Sequence, residues 1–131
     1  MIEDISHNQK LLAKIIRSKY LKKKGINFFT PNKFSQQVAF MNHPRDHNIQ
    51  PHLHRKNLKK IYDTCEVLII INGILKVDFY NKKKKLFSKK LFKNDIIILL
   101  RGGHGFKTLN NCQFIEVKQG PYNIKKDKIK F

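Results

Sequence analysis

The chain has 131 residues, which suits one domain, and its 40% hydrophobic residues are enough for one buried core. This composition excludes a chain without a core, although the formal net charge is +19. Of the 28 basic residues, 24 are lysine and only 4 are arginine. Lysine, asparagine and isoleucine have A/T-rich codons, so genome composition can account for much of the charge. Because arginine forks and interleaved aromatic residues are few, we do not expect nucleic acid or anionic membranes as partners.

Cysteine usage and apolar run length bear on the compartment. Cys65 and Cys112 are the only cysteines, which fits a reducing compartment and gives no disulfide framework. The first residues include early acids and lack the apolar core of a signal peptide. The longest apolar runs, Val67–Ile71 and Ile96–Leu100, have five residues each, whereas a membrane span needs about twenty. We therefore predict a soluble, cytoplasmic protein.

Residues 1–25 predict one amphipathic α-helix that packs on the rest of the domain or on a partner subunit. Its apolar residues fall at helical spacing: Ile5, Leu12, Ile15 and Ile16. Lysine and arginine take most of the remaining surface. Gly25 stands where a glycine commonly ends a helix. A helix lying on a membrane surface is a weaker alternative, because the apolar stripe lacks Trp and Phe.

Residues 26–123 predict an all-β domain. Short apolar or alternating runs separated by Pro, Gly, Asn, Asp or Lys read as strands: NFFTP, SQQVAFM, TCEVLIII, GILKVDFY, KLFSKKLF, DIIILL and CQFIEVKQ. Asn-Gly within 71–74 predicts a two-residue hairpin turn, and YNKKKKLF predicts a second hairpin with a lysine-rich tip. Many short strands without intervening helices indicate a sandwich or small barrel. Residues 124–131 are expected to form a polar tail.

Three histidines and one glutamate are candidate metal ligands. His52 and His54 lie two apart, so in an extended segment both rings face one side. Glu66 precedes an apolar strand and shares a face with its core residues, where a carboxylate needs a partner or a cation. His104 follows another apolar strand and two glycines. The set suits Fe, Mn, Ni or Zn. The alternative is that the histidines are loop residues and Glu66 pairs with a nearby lysine.

Two stretches resemble the motifs of the cupin superfamily. EVLIIING, after a His-x-His pair, is similar to the first motif, and NDIIILLRGGH is similar to the second. The resemblance covers roughly residues 48–116. Through FFTPNKFSQQVAFMNHP, KVDFY, GGHGF and IEVKQGPY it extends to small single-domain cupins encoded among genes for surface-polysaccharide and sugar-nucleotide synthesis.

The resemblance implies a fold and a ligand set. The fold would be a double-stranded β-helix, or jelly-roll barrel, over residues 26–123. One divalent metal ion would be held by His52, His54, Glu66 and His104. Two departures from the family pattern concern geometry. Eleven residues separate His54 from Glu66, where four or five are usual, and Asn94 replaces the glycine before Asp95. We expect Asn94 to adopt the left-handed conformation that glycine would take.

The resemblance also implies a function. It favours a metal-binding protein that acts on or binds a small sugar-derived or nucleotide-sugar ligand in surface-polysaccharide biosynthesis. Catalysis by a metal-dependent isomerase, epimerase or oxygenase and non-catalytic ligand binding both stay open, ahead of an electrostatic adaptor. Arg101 is a candidate contact for a carboxylate, sugar phosphate or diphosphate. A homodimer is expected, because similar barrels commonly pair and both the predicted N-terminal helix and residues 26–29 supply apolar surface.

Overall fold

The computed structural model describes residues 1–21, 23–123, 125 and 127–131. Strands dominate this part of the chain, and its only helical element is a 3₁₀ turn, Ser18–Tyr20. The strands are β1 (Ile2–His7), β2 (Lys10–Ile16), β3 (Gly25–Phe28), β4 (Ala39–Asn42), β5 (Glu66–Asn72), β6 (Leu75–Asn81), β7 (Lys84–Leu91), β8 (Ile96–Leu99), β9 (Gly103–Thr108) and β10 (Gln113–Lys118).

The strands of the described residues form three antiparallel sheets. The largest has the order β1-β2-β8-β5-β10, the second has the order β7-β6-β9, and β3 pairs with β4. The all-β prediction is therefore confirmed at the level of antiparallel sheets. No closed barrel is found among the residues described, so the jelly-roll topology stays a hypothesis.

The predicted N-terminal helix is wrong, because residues 2–16 form the β1–β2 hairpin. Asn8 and Gln9 join the strands with φ of 47° and 62°, the left-handed values that a tight two-residue turn needs. β2 lies between β1 and β8, and both of its faces are covered by core residues. Because the two faces of β2 pack into two different cores, the run LLAKII is apolar on both faces. Its apolar residues therefore happen to match the spacing of a helix. Gly25 has a φ of +78°, but it begins β3 and ends no helix.

The Asn-Gly turn between β5 and β6 also differs from its prediction. These strands lie in different sheets, so Gly73, with φ of +83°, turns the chain from one sheet to the other. The N–H of Ile74 then donates to Oδ1 of Asn110 at 2.7 Å, which ties this turn to the β9–β10 connection. The second hairpin is confirmed, since β6 and β7 pair directly on either side of Lys82.

Two apolar cores lie on opposite faces of the five-stranded sheet. Along β5, Leu68 and Ile70 face the three-stranded sheet, whereas Cys65 and Val67 face the residues around β3 and β4. This period-two alternation is the ordinary geometry of a strand. Burying each large aliphatic side chain contributes about 1.5–3 kcal/mol to stability. The strands β5 and β8 therefore hold the side chains that they carry in fixed positions.

A buried ion cluster joins the N-terminal hairpin to the start of β8. Asp95 is 2% exposed, and its Oδ2 accepts from Nη1 of Arg17 at 2.7 Å and from the N–H of Phe92 at 3.1 Å. Its Oδ1 accepts from the N–H of Ser18 at 3.0 Å. Nε of Arg17 donates to Oε1 of Glu3 at 2.6 Å. This cluster ties the chain segment that follows β2 to the start of β8. Its loss would weaken the attachment of the β1–β2 hairpin to the rest of the large sheet.

Asn94 shapes the turn that precedes Asp95. Its φ is 64°, which confirms the left-handed conformation expected where cupins carry glycine. The N–H of Asn94 donates to the carbonyl of Ile70 at 2.7 Å, so the turn is held against β5. The short polar side chain of asparagine makes this conformation less costly than it is for most residues.

Candidate functional site

Glu66 and His104 form a hydrogen-bonded pair between two sheets. Glu66 begins β5 on the face that carries Leu68 and Ile70, and it is 5% exposed. His104 lies in β9, at the edge of the three-stranded sheet. Nε2 of His104 and Oε2 of Glu66 are 2.9 Å apart, although 38 positions separate the residues. The predicted core-facing glutamate thus has an imidazole partner, and no ion pair between Glu66 and a lysine occurs among the residues that the structure describes.

The hydrogen bond from His104 holds the pKa of the Glu66 carboxyl below its ordinary value, against the raising effect of burial. The charge of the His104 ring and the more distant cations of Lys128 and Lys118 act in the same direction. Glu66 is therefore an anion near neutral pH. A carboxylate only accepts hydrogen bonds, so Nε2 of His104 carries the proton in this contact. The site combines a fixed negative charge with an imidazole that can donate a proton or bind a cation.

The pair lies beside the two sheet edges that β9 and β10 form. β9 and β10 end their respective sheets and approach each other through side chains. The rings of His104 and Phe106 are 5.2 Å apart, and those of Phe106 and Phe114 are 6.4 Å apart. We call Glu66, His104, Phe106, Phe114 and Lys118 the seam. Phe106 and Phe114 thus place a half-exposed aromatic surface beside the Glu66–His104 contact.

The structure places His52 and His54 outside this pair. Both lie in segment 43–65, which connects β4 to β5 without helix or strand, and both are exposed. Their ring centroids are 5.3 Å apart, and Nδ1 of His52 is 2.9 Å from the carbonyl of Gln50. Among the residues that the structure describes, no group of three or more His, Cys, Asp and Glu is arranged to hold a metal ion.

Only part of the predicted ligand set comes together in the structure. Oε2 of Glu66 and Nε2 of His104 are 2.9 Å apart, which is the length of an ordinary N–H···O hydrogen bond. Two of the four predicted ligands are thus placed together, and His52 and His54 are not grouped with them.

Arg101 lies in a different place from the seam. It follows β8, is exposed, and lines a cavity of about 340 Å³ together with His7, Lys10, Tyr80 and Lys82. Sequence reasoning missed the partners of Arg101 because it assigned His7 and Lys10 to a helix. The signal that could have identified them is the polar His-Asn-Gln-Lys stretch between two isoleucine-rich runs, which is typical of a turn.

Fold and site together define a protein of antiparallel β-sheets in which the buried Glu66 carboxylate contacts the partly exposed imidazole of His104. No family model matches the chain, and the searches of curated proteins and of solved structures found no significant match either. Within the described part of the chain, none of the helical structure is long and apolar enough for a membrane crossing.

Proposed function

We propose that the protein is a cupin-like metal-binding protein whose metal site is centred on Glu66 and His104. The observation that supports this proposal is the 2.9 Å contact between them. Glu66 comes from the stretch that resembles the first cupin motif, and His104 comes from the stretch that resembles the second. If both motifs bind one ion, these two side chains have to lie close together. If the chain resembled the two motifs only by chance, nothing would require that contact.

His52 and His54 would complete the proposed site from segment 43–65. The contact between Nδ1 of His52 and the Gln50 carbonyl leaves Nε2 of His52 directed to other partners. A backbone carbonyl bound to one ring nitrogen commonly orients the other nitrogen for metal binding. When bound, a divalent metal would supply a Lewis acid that polarises a ligand oxygen. Glu66 would supply the negative charge that retains the ion.

The proposed ligand is a small sugar-derived molecule or nucleotide sugar, bound for surface-polysaccharide synthesis. The rings of Phe106 and Phe114 offer an apolar wall, and Lys118 lies opposite Glu66 in the β5–β10 ladder. Such a combination suits a ligand that has both an apolar face and anionic groups. The compartment that we propose is the reducing cytoplasm, since Cys65 and Cys112 are both free thiols.

Metal analysis of untagged protein tests the proposal. After reconstitution with Fe, Mn, Ni or Zn, we expect about one bound equivalent by mass spectrometry of the metal. Glu66→Ala and His104→Ala should each weaken binding by more than about tenfold, because each removes a direct ligand. His47→Ala is the matched control, since it removes an exposed histidine outside the seam. Less than about a tenth of an equivalent in the unaltered protein would contradict the metal site.

A homodimer is also part of the proposal. Ile26, Phe28 and Met41 are more than half exposed, and Ile26 lies directly opposite Met41 in the β3–β4 ladder. Neither β3 nor β4 contains a charged residue. In two chains of net charge +19, a charge-free apolar face adds little to the mutual repulsion, and its burial is favourable.

Size-exclusion chromatography with light scattering tests the dimer at tens of micromolar protein. We expect twice the chain mass of 15.6 kDa for the unaltered protein and one chain mass for Phe28→Asp. The reason is that a carboxylate buried in an apolar interface has no partner. Leu53→Asp is the control, because Leu53 is 97% exposed on segment 43–65, and this variant should remain dimeric. A monomeric unaltered protein would refute the assignment.

A further inference from the structure

The cavity around Arg101 lies where three turns meet. The β1–β2 hairpin contributes Lys10, which is the first residue of β2, the β6–β7 turn contributes Lys82, and the β8–β9 turn contributes Arg101. Leu12, Tyr80 and Leu86 provide much of its apolar lining. We call this cavity the turn pocket. Its volume of about 340 Å³ lies at the lower end of the range for small-molecule sites.

The charges of the turn pocket all have the same sign. Lys10, Lys82 and Arg101 are cationic, His7 adds an imidazole, and no acidic side chain occurs among the described residues that line the cavity. Elsewhere in the structure several lysines and arginines have carboxylate partners, as Lys14 has Asp4 and Arg17 has Glu3. Three cations that converge on one cavity repel each other, and a bound anion would relieve that repulsion.

The backbone holds these turns in fixed positions. The N–H groups of Leu100 and Arg101 both donate to the carbonyl of Leu12, at 2.9 and 3.3 Å. Gly102 has a φ of +83°, and a Cβ there would lie 3.4 Å from Leu12 Cδ2, so the turn after Arg101 lies close against β2. Across the pocket, Asn81 Nδ2 is 3.5 Å from His7 Nε2, which links the tips of the two hairpins. The cationic groups are therefore carried by an ordered frame.

We propose that the turn pocket binds the phosphate group of a small organic phosphate ester. Arg101 presents a planar fork that matches two phosphate oxygens, and Lys10 and Lys82 act as point charges. Leu12, Leu86 and the ring of Tyr80 pack against the carbon skeleton of the ligand. The pocket shares no residue with the seam, so this inference goes beyond the proposed metal site and does not depend on it.

A small ligand is favoured over RNA or an anionic membrane by the shape of the site. The cations line a concavity in which leucine side chains provide part of the wall, whereas a long polyanion needs an extended basic groove with stacking surfaces. The lysine runs outside the pocket lack such surfaces in sequence. Binding of RNA is therefore an outcome of the test and is not part of the proposal.

Calorimetric titration with glucose 1-phosphate tests the turn pocket in the unaltered chain. The double variant Lys10→Gln/Arg101→Gln should weaken binding by at least about tenfold, because it removes two charge-assisted contacts. The matched control is Arg55→Gln/Lys107→Gln, which removes the same two charge types from exposed positions outside the pocket. The control should bind within about twofold of the unaltered protein, because distant surface charges are screened by salt.

Further measurements make the result unambiguous. Thermal denaturation of both variants verifies folding, and the titration is repeated after treatment with a chelator. Persistence of binding separates the turn pocket from the metal site. Glucose alone should not bind, and inorganic phosphate should bind more weakly than the ester. Equal weakening in both double variants, equal binding of phosphate and ester, a preference for oligouridylate, or no binding at millimolar ligand would each overturn the proposal.

Discussion

Replacing Gly73 by alanine is expected to lower the free energy of unfolding by about 3 kcal/mol or more. Two effects add at this position. With φ of +83° the residue lies in the left-handed region, where a side chain costs roughly 1–2 kcal/mol. A Cβ would also overlap the Asn111 carbonyl oxygen and lie 2.7 Å from Cys112 Cα. These are backbone atoms, so the β5–β6 crossing and the β9–β10 connection would have to separate.

Gly25→Ala provides the matched control. Gly25 has nearly the same conformation, with φ of +78°, but a Cβ there would have nothing within 4 Å. This variant should therefore lose only the conformational part, roughly 1–2 kcal/mol. Urea denaturation followed by circular dichroism measures both variants, and their difference isolates the steric part. Equal losses in the two variants would show that the close approach at Gly73 does not restrain the fold.

Replacing Asp95 by alanine is expected to destabilise the protein by about 3 kcal/mol. The substitution leaves the N–H groups of Ser18 and Phe92 without their acceptor and removes one carboxylate partner of Arg17. Because Arg17 keeps its bond to Glu3 and is partly exposed, the loss should stay below that of a fully buried, isolated charge. Chemical denaturation at neutral pH measures the change.

Asp4→Ala is the control for Asp95→Ala, because it removes the same charge from a carboxylate that is exposed. The Asp4–Lys14 contact is 2.6 Å long, but the Asp4 side chain is 56% exposed. Surface pairs of this kind contribute about 0–1 kcal/mol, so the control should change stability little. A similar loss in both variants would mean that the Asp95 cluster contributes only ordinary surface electrostatics.

The sequence predicted the strands in which a short apolar or alternating run has a turn signal on each side. The apolar runs at Val67–Ile71 and Ile96–Leu100 became the centre of the large sheet, and the lysine-tipped hairpin formed as expected. The alternation along β5 also indicated that Glu66 faces the core. These features depend on residues within a few positions of each other, so the sequence carries enough information to predict them.

Features that depend on distant pairings were not accessible from the sequence. Residues 10–16 read as a helix because β2 is covered on both faces, and only its neighbours β1 and β8 reveal that environment. The Asn-Gly turn at Gly73 resembles a hairpin locally, yet the partner of each strand lies elsewhere in the chain. The contact of Glu66 with His104 was suggested by the two motifs, whereas the position of His52 and His54 depends on a segment without regular structure.

The length of segment 43–65 has a consequence for the affinity of the proposed metal site. Eleven residues separate His54 from Glu66. A flexible chain of that length has a root-mean-square span of about 20 Å, which would keep both histidines within reach of the proposed site. Such a tether gives the two histidines an effective concentration on the order of millimolar at the proposed site. Their binding to an ion already held by Glu66 and His104 would then be an intramolecular step. The affinity for a metal ion would then be tuned by the number of residues in the tether as well as by the ligands themselves.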